Sequence, residues 1–260
     1  MKRDNIFWGA ALILFGILFL LQNQGYITNA FALFWPIILI LAGVWIVSGV
    51  FWKPAPGTVE TFSIPLGAAK SVKYRFSHGA AQIFIGGGAP SGQAITGSSA
   101  VATSHHSRLD GDRLEVKVDT GPSFIPIIGP SDGAWRYQLS QEIPVSLTIE
   151  AGASTFDVDL KDVMASNIEL KAGASTFNMT LPARGVSRLE IESGAANFNL
   201  HIPEGTAGRL SSVEGFTSLN VDTNRFPQLD SGVYQSPDFD ASPNRTEIRV
   251  RAGMVSISMK

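Results

Sequence analysis

From Val145 to Thr223 apolar and polar positions alternate, and the alternation is written four times with a period of 21 residues. The copies are marked by Gly152-Ala153-Ser154-Thr155-Phe156, Gly173-Ala174-Ser175-Thr176-Phe177, Gly194-Ala195-Ala196-Asn197-Phe198 and Gly215-Phe216-Thr217-Ser218-Leu219. Five residues before each glycine stands Leu147, Ile168, Leu189 or Leu210. Six residues after it stands Val158, Met179, Leu200 or Val221. Period two on either side of a small-residue corner predicts two short strands joined by a bend, with Glu, Lys, Asp, Asn, Thr and His facing out. At the corner, glycine supplies unusual backbone angles, and Ala or Ser leaves room where neighbouring turns approach closely.

The same spacing picks out three further units. Around Gly79 it reads Tyr74, Phe76, Ile83 and Ile85; around Gly121, Val116, Val118, Ile125 and Ile127; around Gly253, Ile248, Val250, Ile257 and Met259. Ser212, three residues before its glycine, is the one polar exception in the seven units. A fixed period in this range marks stacked repeats. It predicts an all-β domain, a β-solenoid or stacked β-repeat with a period of 21 residues, whose turns lie about 4.8 Å apart. Stacking puts Phe156, Phe177, Phe198 and Leu219 in one inner column and Asp157, Asn178, Asn199 and Asn220 in an outer one. The outer column reads as a structural ladder of amides bonded along the stack. A cation or sugar site along Asp157, Asp159, Asp162 and Asp222 is the alternative, weakened because these positions become Asn, Thr or His in adjacent copies.

The first fifty residues follow another pattern. No charge occurs from Asn5 to Trp52; Ile6–Leu21 and Phe31–Trp52 are apolar runs separated by a polar, uncharged break from Gln22 to Ala30. At 1.5 Å per residue the second run spans about 33 Å, enough for a bilayer core. The 16-residue first run is short, and Trp8, Tyr26, Phe34 and Trp35 suit its interfaces. A transmembrane α-hairpin over residues 1–53, with helices at about 6–21 and 31–52, a Pro-rich linker at 54–57 and the β-repeat domain at 58–260 is the predicted organisation. A secretory signal ending near Ala30-Phe31-Ala32 is the competing reading of the first run. The hairpin puts both ends on one side. Lys2 and Arg3 before it and Lys53, Lys70, Lys73 and Arg75 after it predict a cytoplasmic β-domain, with an extracytoplasmic one as the alternative.

Composition adds exclusions. Only 16% of residues are charged and the net charge is −2, so no polyanion-binding signal points to nucleic acid. Cysteine is absent, which rules out disulfides and thiolate chemistry. His105 and His106 are adjacent and would point to opposite sides of a strand, and His78 and His201 are distant in sequence, so no metal site is predicted. No catalytic motif and no cofactor motif occurs. Two irregular stretches remain. Phe124, Ile128 and Trp135 accompany the Ile125 and Ile127 strand and are assigned either to local packing or to a partner surface. Asn224 to Thr246, with Phe226, Tyr234 and Phe239, either covers an end turn or docks a partner. These six aromatic and aliphatic residues are the candidate partner contacts.

Leu20-Leu21-Gln22-Asn23, the Gly25 and Ile27 loop, and Phe34-Trp35-Pro36 leading to Leu41-Ala42-Gly43 resemble the two-helix membrane segment of LiaI/LiaF-type bacterial envelope-stress proteins. The Gly-Ala-Ser-Thr-Phe corners and the closing stretch from Tyr234-Gln235-Ser236 through Asn244-Arg245-Thr246-Glu247-Ile248 resemble toast-rack domains attached to such segments. The resemblance implies a two-pass, non-enzymatic component of the cell-envelope stress response. It would act in the lipid bilayer by contacts with membrane proteins such as a sensor histidine kinase, or with further copies of itself. A polymerising membrane-associated scaffold and a polysaccharide-binding solenoid are the readings from other classes.

Overall fold

A computed structural model describes residues 3–51, 60–79, 82–99, 104–119, 134–230 and 232–260. The chain divides into two units, Met1–Ala55 and Pro56–Lys260.

In the first unit the two apolar runs are helices, α1 (Arg3–Asn23) and α2 (Ala30–Phe51). Helix α1 ends where Gly25 takes a left-handed φ of 80°, and the Gly25 and Tyr26 amides donate back to the carbonyls of Gln22 and Leu21. Asn29 caps α2: its Oδ1 accepts from the Phe31 and Ala32 amides at 3.1 Å. Phe15 and Phe34 meet edge to face at 5.2 Å, joining the helices. Among the described residues no helix is long and apolar enough to cross a membrane. Over their full ranges the helices run 21 and 22 residues, about 32–33 Å.

In the second unit the alternating stretches form a sheet of fifteen strands. The short ones are β1 (Glu60–Pro65), β2 (Ser71–His78), β3 (Gln82–Gly87), β4 (Gln93–Ser99), β5 (Ser104–Asp110), β6 (Arg113–Asp119), β7 (Trp135–Leu139), β8 (Val145–Ala151) and β9 (Thr155–Asp159). Then come β10 (Ala165–Thr180), β11 (Val186–His201) and β12 (Ala207–Val221), which run through their glycine corners, the short β13 (Gln228–Asp230) and β14 (Val233–Gln235), and the long β15 (Arg245–Met259). Neighbouring rungs are parallel and aligned at the repeat offsets, save for a shift at Ala165/Asn167 in β10 and two in β12, where Val213 and not Ser212 lies opposite Val250. Ile168 lies opposite Leu147 and Leu189, and Phe177 opposite Phe156 and Phe198. The Phe156, Phe177 and Phe198 rings stack at 4.8 and 5.1 Å, all fully buried in one hydrophobic cluster with Tyr74, Phe76 and Leu147.

The rungs do not stack in chain order. The β2–β3 rung lies between β6–β7 and β8–β9, and β15 inserts between β11 and β12. Ile257, not Leu219, is therefore the neighbour of Phe198, and Leu219 follows one rung later. A period read along the chain carries no information about such an exchange, because every rung offers the same apolar offsets to its neighbours.

Two further expectations need correction. The partner of Ile83 and Ile85 is the Trp135–Tyr137 pair of β7, where Ile125 and Ile127 were expected; those two lie outside the described residues. Trp135, Tyr137 and Leu139 carry the same inward alternation and are buried. The corner glycines Gly152, Gly173 and Gly253 have no left-handed φ, where unusual backbone angles were expected; they are required by proximity. A Cβ on Gly152 would stand 2.6 Å from the Gly79 carbonyl oxygen, on Gly173 2.9 Å from that of Gly152, and on Gly253 2.9 Å from that of Gly194.

The terminal rungs are covered by antiparallel segments. β14 pairs with the start of β12, while β5 covers β6 and β4 covers β7, with β1 beyond β4.

Candidate functional site

The outward residues of the second half of each rung form two rows across eight strands, β1, β4, β7, β3, β9, β10, β11 and β15. The sheet curves so that this face is concave, leaving a groove of about 1090 Å³ that both rows line. One row includes Arg136, Phe84, Asp157, Asn178, Asn199 and Ser258; the other includes Gln138, Gly86, Asp159, Thr180, His201 and Lys260.

The centre of the first row is the expected amide ladder. Asn199 donates through Nδ2 to the Asn178 Oδ1, and Asn178 in turn to the Asp157 Oδ1, each at 2.8 Å. The ladder thus ends on a carboxylate, which accepts without needing to donate. Ser258 separates Asn199 from Asn220 because β15 intervenes, so the column is not continuous. At the other end the Arg136 guanidinium lies 4.4 Å over the Phe84 ring, and Thr96 donates to the Gln138 side-chain oxygen at 3.1 Å. Gly86 interrupts the second row: a Cβ there would meet only the Asp159 carbonyl, at 3.7 Å. Asp159 is partly engaged in capping its own turn, accepting from the Lys161 amide at 3.1 Å. Asp222 does the same for Asn224.

The opposite outer face, made by the first half of each rung, carries charge pairs instead. Arg75 meets Glu150 at 2.9 Å, Lys171 meets Glu169 at 3.0 Å and Glu192 at 3.9 Å, and Glu247 joins Arg188 and Arg249. The hydrogen bond from Lys171 holds the Glu169 carboxyl below its usual range. Such exposed pairs contribute little to stability.

The large pKa shifts lie in the interior. Burial raises the Tyr74 and Tyr137 phenols and lowers His78 to about 4, the latter against an opposing pull from Asp119. His78 sits among Phe76, Trp135, Tyr137 and Phe156, with ring centroids 5.8–6.4 Å away.

The expected partner contacts are distributed differently. Trp135, Phe226 and Phe239 are buried, and Tyr234 is half-buried against the core; Phe124 and Ile128 lie outside the described residues. Phe226 closes the end of the stack beside Gly208 and Ile202, held by Arg225, whose Nη2 donates to the Pro203 and Thr206 carbonyls at 2.6 and 3.0 Å. Phe239 lies 4.1 Å under the Arg209 guanidinium. Three of these side chains are therefore packing elements, because the end rungs have apolar faces that must be covered. His105 stacks on Phe62 at 4.4 Å on the exposed strand β5. Among the described residues no three His, Asp or Glu side chains gather as metal ligands. Sequence reading reached this face only as a line of Asp positions; that β4 and β1 extend it beyond β7 is a pairing no repeat copy encodes.

Residues 53–201 match the N-terminal domain of toast_rack, DUF2154, and residues 6–47 match the LiaI-LiaF-like transmembrane region. No curated protein matches. Among solved structures, a protein from Clostridium sporogenes provisionally named a cell adhesion protein superposes with a TM-score of 0.69 at 15% identity, over 78% of this chain and 98% of that one. At that identity the likeness concerns the fold. A provisionally named adhesin from Bacteroides fragilis, at 8% identity, covers 79% of this chain and 99% of its own, and has a TM-score of only 0.20. The match to the toast_rack model covers more than half of the sequence, and a membrane segment of the LiaI-LiaF type precedes it: the chain belongs to the toast-rack family.

Proposed function

We propose that this is a membrane-anchored, non-enzymatic component of the bacterial cell-envelope stress response that works through protein contacts, with a membrane sensor kinase as the partner. The observation that carries the reading is the fusion itself, a LiaI-LiaF-like transmembrane region joined to a toast-rack domain. The β-domain is read as a β-solenoid with a 21-residue unit, a rigid body suited to presenting surfaces. Its strongly perturbed ionisable groups, Tyr74, His78 and Tyr137, are core residues and not the solvent-facing acid and base of a catalytic cleft. The exposed strand β5 and the charge-paired outer face are the surfaces this reading assigns to partners.

The Lys and Arg residues flanking the hairpin support a cytoplasmic β-domain, within reach of the cytoplasmic part of a kinase. Photo-crosslinkers at His106 and Glu190 in native membranes should capture a membrane kinase, with capture dependent on the inducing stress. Capture of no membrane protein from either position would sink the reading. A reporter fused after Lys260 tests the side. A fluorescent cytoplasmic reporter and an inactive periplasmic phosphatase are expected, and the reverse outcome would turn the search toward the wall.

A further inference from the structure

We infer that the concave outer face is a binding groove for an extended, uncharged polysaccharide chain. The groove crosses eight strands, and seven spacings of about 4.8 Å make roughly 34 Å along the curve. A long, open trough of this kind accepts a linear polymer threaded across the strands, where a small metabolite would leave most of it solvated.

The lining chemistry narrows the class. The rows carry amides (Gln138, Asn178, Asn199) and hydroxyls (Thr96, Thr180, Ser258) among their charged residues, groups that donate and accept and so match sugar hydroxyls. After the ladder bonds are made, Asn178 and Asn199 each keep a second amide N–H without a protein partner. The ladder also fixes these side chains before any ligand arrives, which lowers the ordering cost of binding. Charge does not select an ionic polymer: Asp157 and Asp159 balance Arg136 and Lys260 along the rows. An acyl chain or an apolar peptide would meet few apolar side chains in the two rows. The large apolar outward side chain in these rows, Phe84, is half-buried under the Arg136 guanidinium, and that planar group gives a flat surface for the face of a sugar ring. Gly86 leaves the middle of the second row open.

This groove is separate from the charge-paired face and from β5, and its occupancy does not depend on the protein contacts proposed above. Two sources share the chemistry, a cell-wall-type amino-sugar chain and a storage-type glucan, and they lie on opposite sides of the membrane. The test is calorimetric titration of the full chain in detergent micelles with chitohexaose and with maltohexaose. Saturable binding to one of them is expected, chitohexaose indicating the wall-type source and maltohexaose the cytoplasmic one. Added salt should leave the affinity unchanged, since the ligand carries no charge. Gly86→Tyr, which fills the open centre, and Gln138→Ala, which removes a lining amide, should each weaken binding about tenfold, equivalent to about 1.4 kcal/mol. Glu190→Ala, on the opposite face, should leave it unchanged. If Gly86→Tyr does not fold, Asn178→Ala, the loss of an exposed amide, takes its place. Binding of neither sugar, or binding that the groove substitutions leave intact, overturns the assignment.

Discussion

The corner glycines give the sharpest test of how the rungs are held together. Gly152, at the bend between β8 and β9, and Gly173, within β10, lie at the surface without a left-handed φ, where alanine would ordinarily stabilise by about 0.4–1 kcal/mol by restricting the unfolded chain. In this stack the sign reverses. The new Cβ of Gly152→Ala would stand 2.6 Å from the Gly79 carbonyl oxygen and that of Gly173→Ala 2.9 Å from the Gly152 oxygen, well inside van der Waals contact. Neither oxygen sits on a side chain that can swing away. Each belongs to a backbone fixed by the next rung, where the Ala153 and Ala174 amides donate to the same two carbonyls at 2.8 Å. Relief requires the rungs to part, and overpacking of that kind costs about 1–3 kcal/mol. At 2–4 °C per kcal/mol for a domain of this size, the melting temperature should fall by about 2–12 °C, with Gly152→Ala the worse of the two.

Gly194 supplies the internal control. Its Cβ would meet the Gly173 oxygen at 3.4 Å, a tight but tolerable contact, so Gly194→Ala should be near neutral. The assay is thermal unfolding of the full chain in detergent micelles, followed by circular dichroism in the β-sheet band. Equal shifts for the three variants, or a Gly152→Ala protein that melts at or above the parent, would show that the rungs are not stacked as closely as described.

The remaining predictions concern the core and its protonation. Phe177→Ala removes the central ring of the three-ring stack and should cost about 3–5 kcal/mol, whereas His201→Ala, on the exposed side of the same sheet, should stay within about 0.5 kcal/mol; similar melting shifts for the two would refute the assigned strand faces. His78 holds its proton only below about pH 4 in the folded state, against an ordinary value of 6.5. The unfolded chain therefore takes up the proton first, and stability is lost as pH falls from 6.5 toward 4, by about 3 kcal/mol in total. His78→Phe should flatten that part of the stability-versus-pH curve, and an unchanged slope would assign the acid sensitivity elsewhere.

Much of this architecture was legible from periodicity. The inward faces of β8 to β11 follow directly from Leu147, Ile168 and Leu189 on one side of the corner and Phe156, Phe177 and Phe198 on the other, since a period of two fixes which side chains meet. The hydrogen-bonded run from Asp157 to Asn199 was legible for the same reason. What escaped was everything set by contacts distant in sequence. The insertion of β15, the use of Trp135 in place of Ile125 and the addition of β4 and β1 beyond β7 all leave local alternation unchanged. The stretch from Asn224 to Thr246 stayed open between covering an end turn and docking a partner for a related cause. Phe226 and Phe239 break the period, and aromatic residues outside a repeat look alike whether they close the stack or face a partner; the nearby Arg225 and Arg209, which hold them, were the available signal.

The placement of β15 also bears on where the folded unit ends. The toast_rack match stops at residue 201, the last residue of β11, as if the rung were a natural terminus. Yet the outer edge of β11 is paired along nearly its whole length by β15, and β15 in turn carries β12. Ile248, Val250, Val255, Ile257 and Met259 are all buried. At about 1.5–3 kcal/mol for each large side chain withdrawn from water, the five together supply roughly 7–15 kcal/mol, as much as the whole stability of an ordinary domain. A chain truncated after residue 244 should therefore lose the cooperative melt of the β-domain altogether, although every unit of the 21-residue series from Val145 to Val221 remains present. A truncated protein that still melts cooperatively within a few degrees of the parent would mean that the consecutive units suffice alone. The expected collapse would show that β15, an interior rung supplied from far along the chain, holds the stack together.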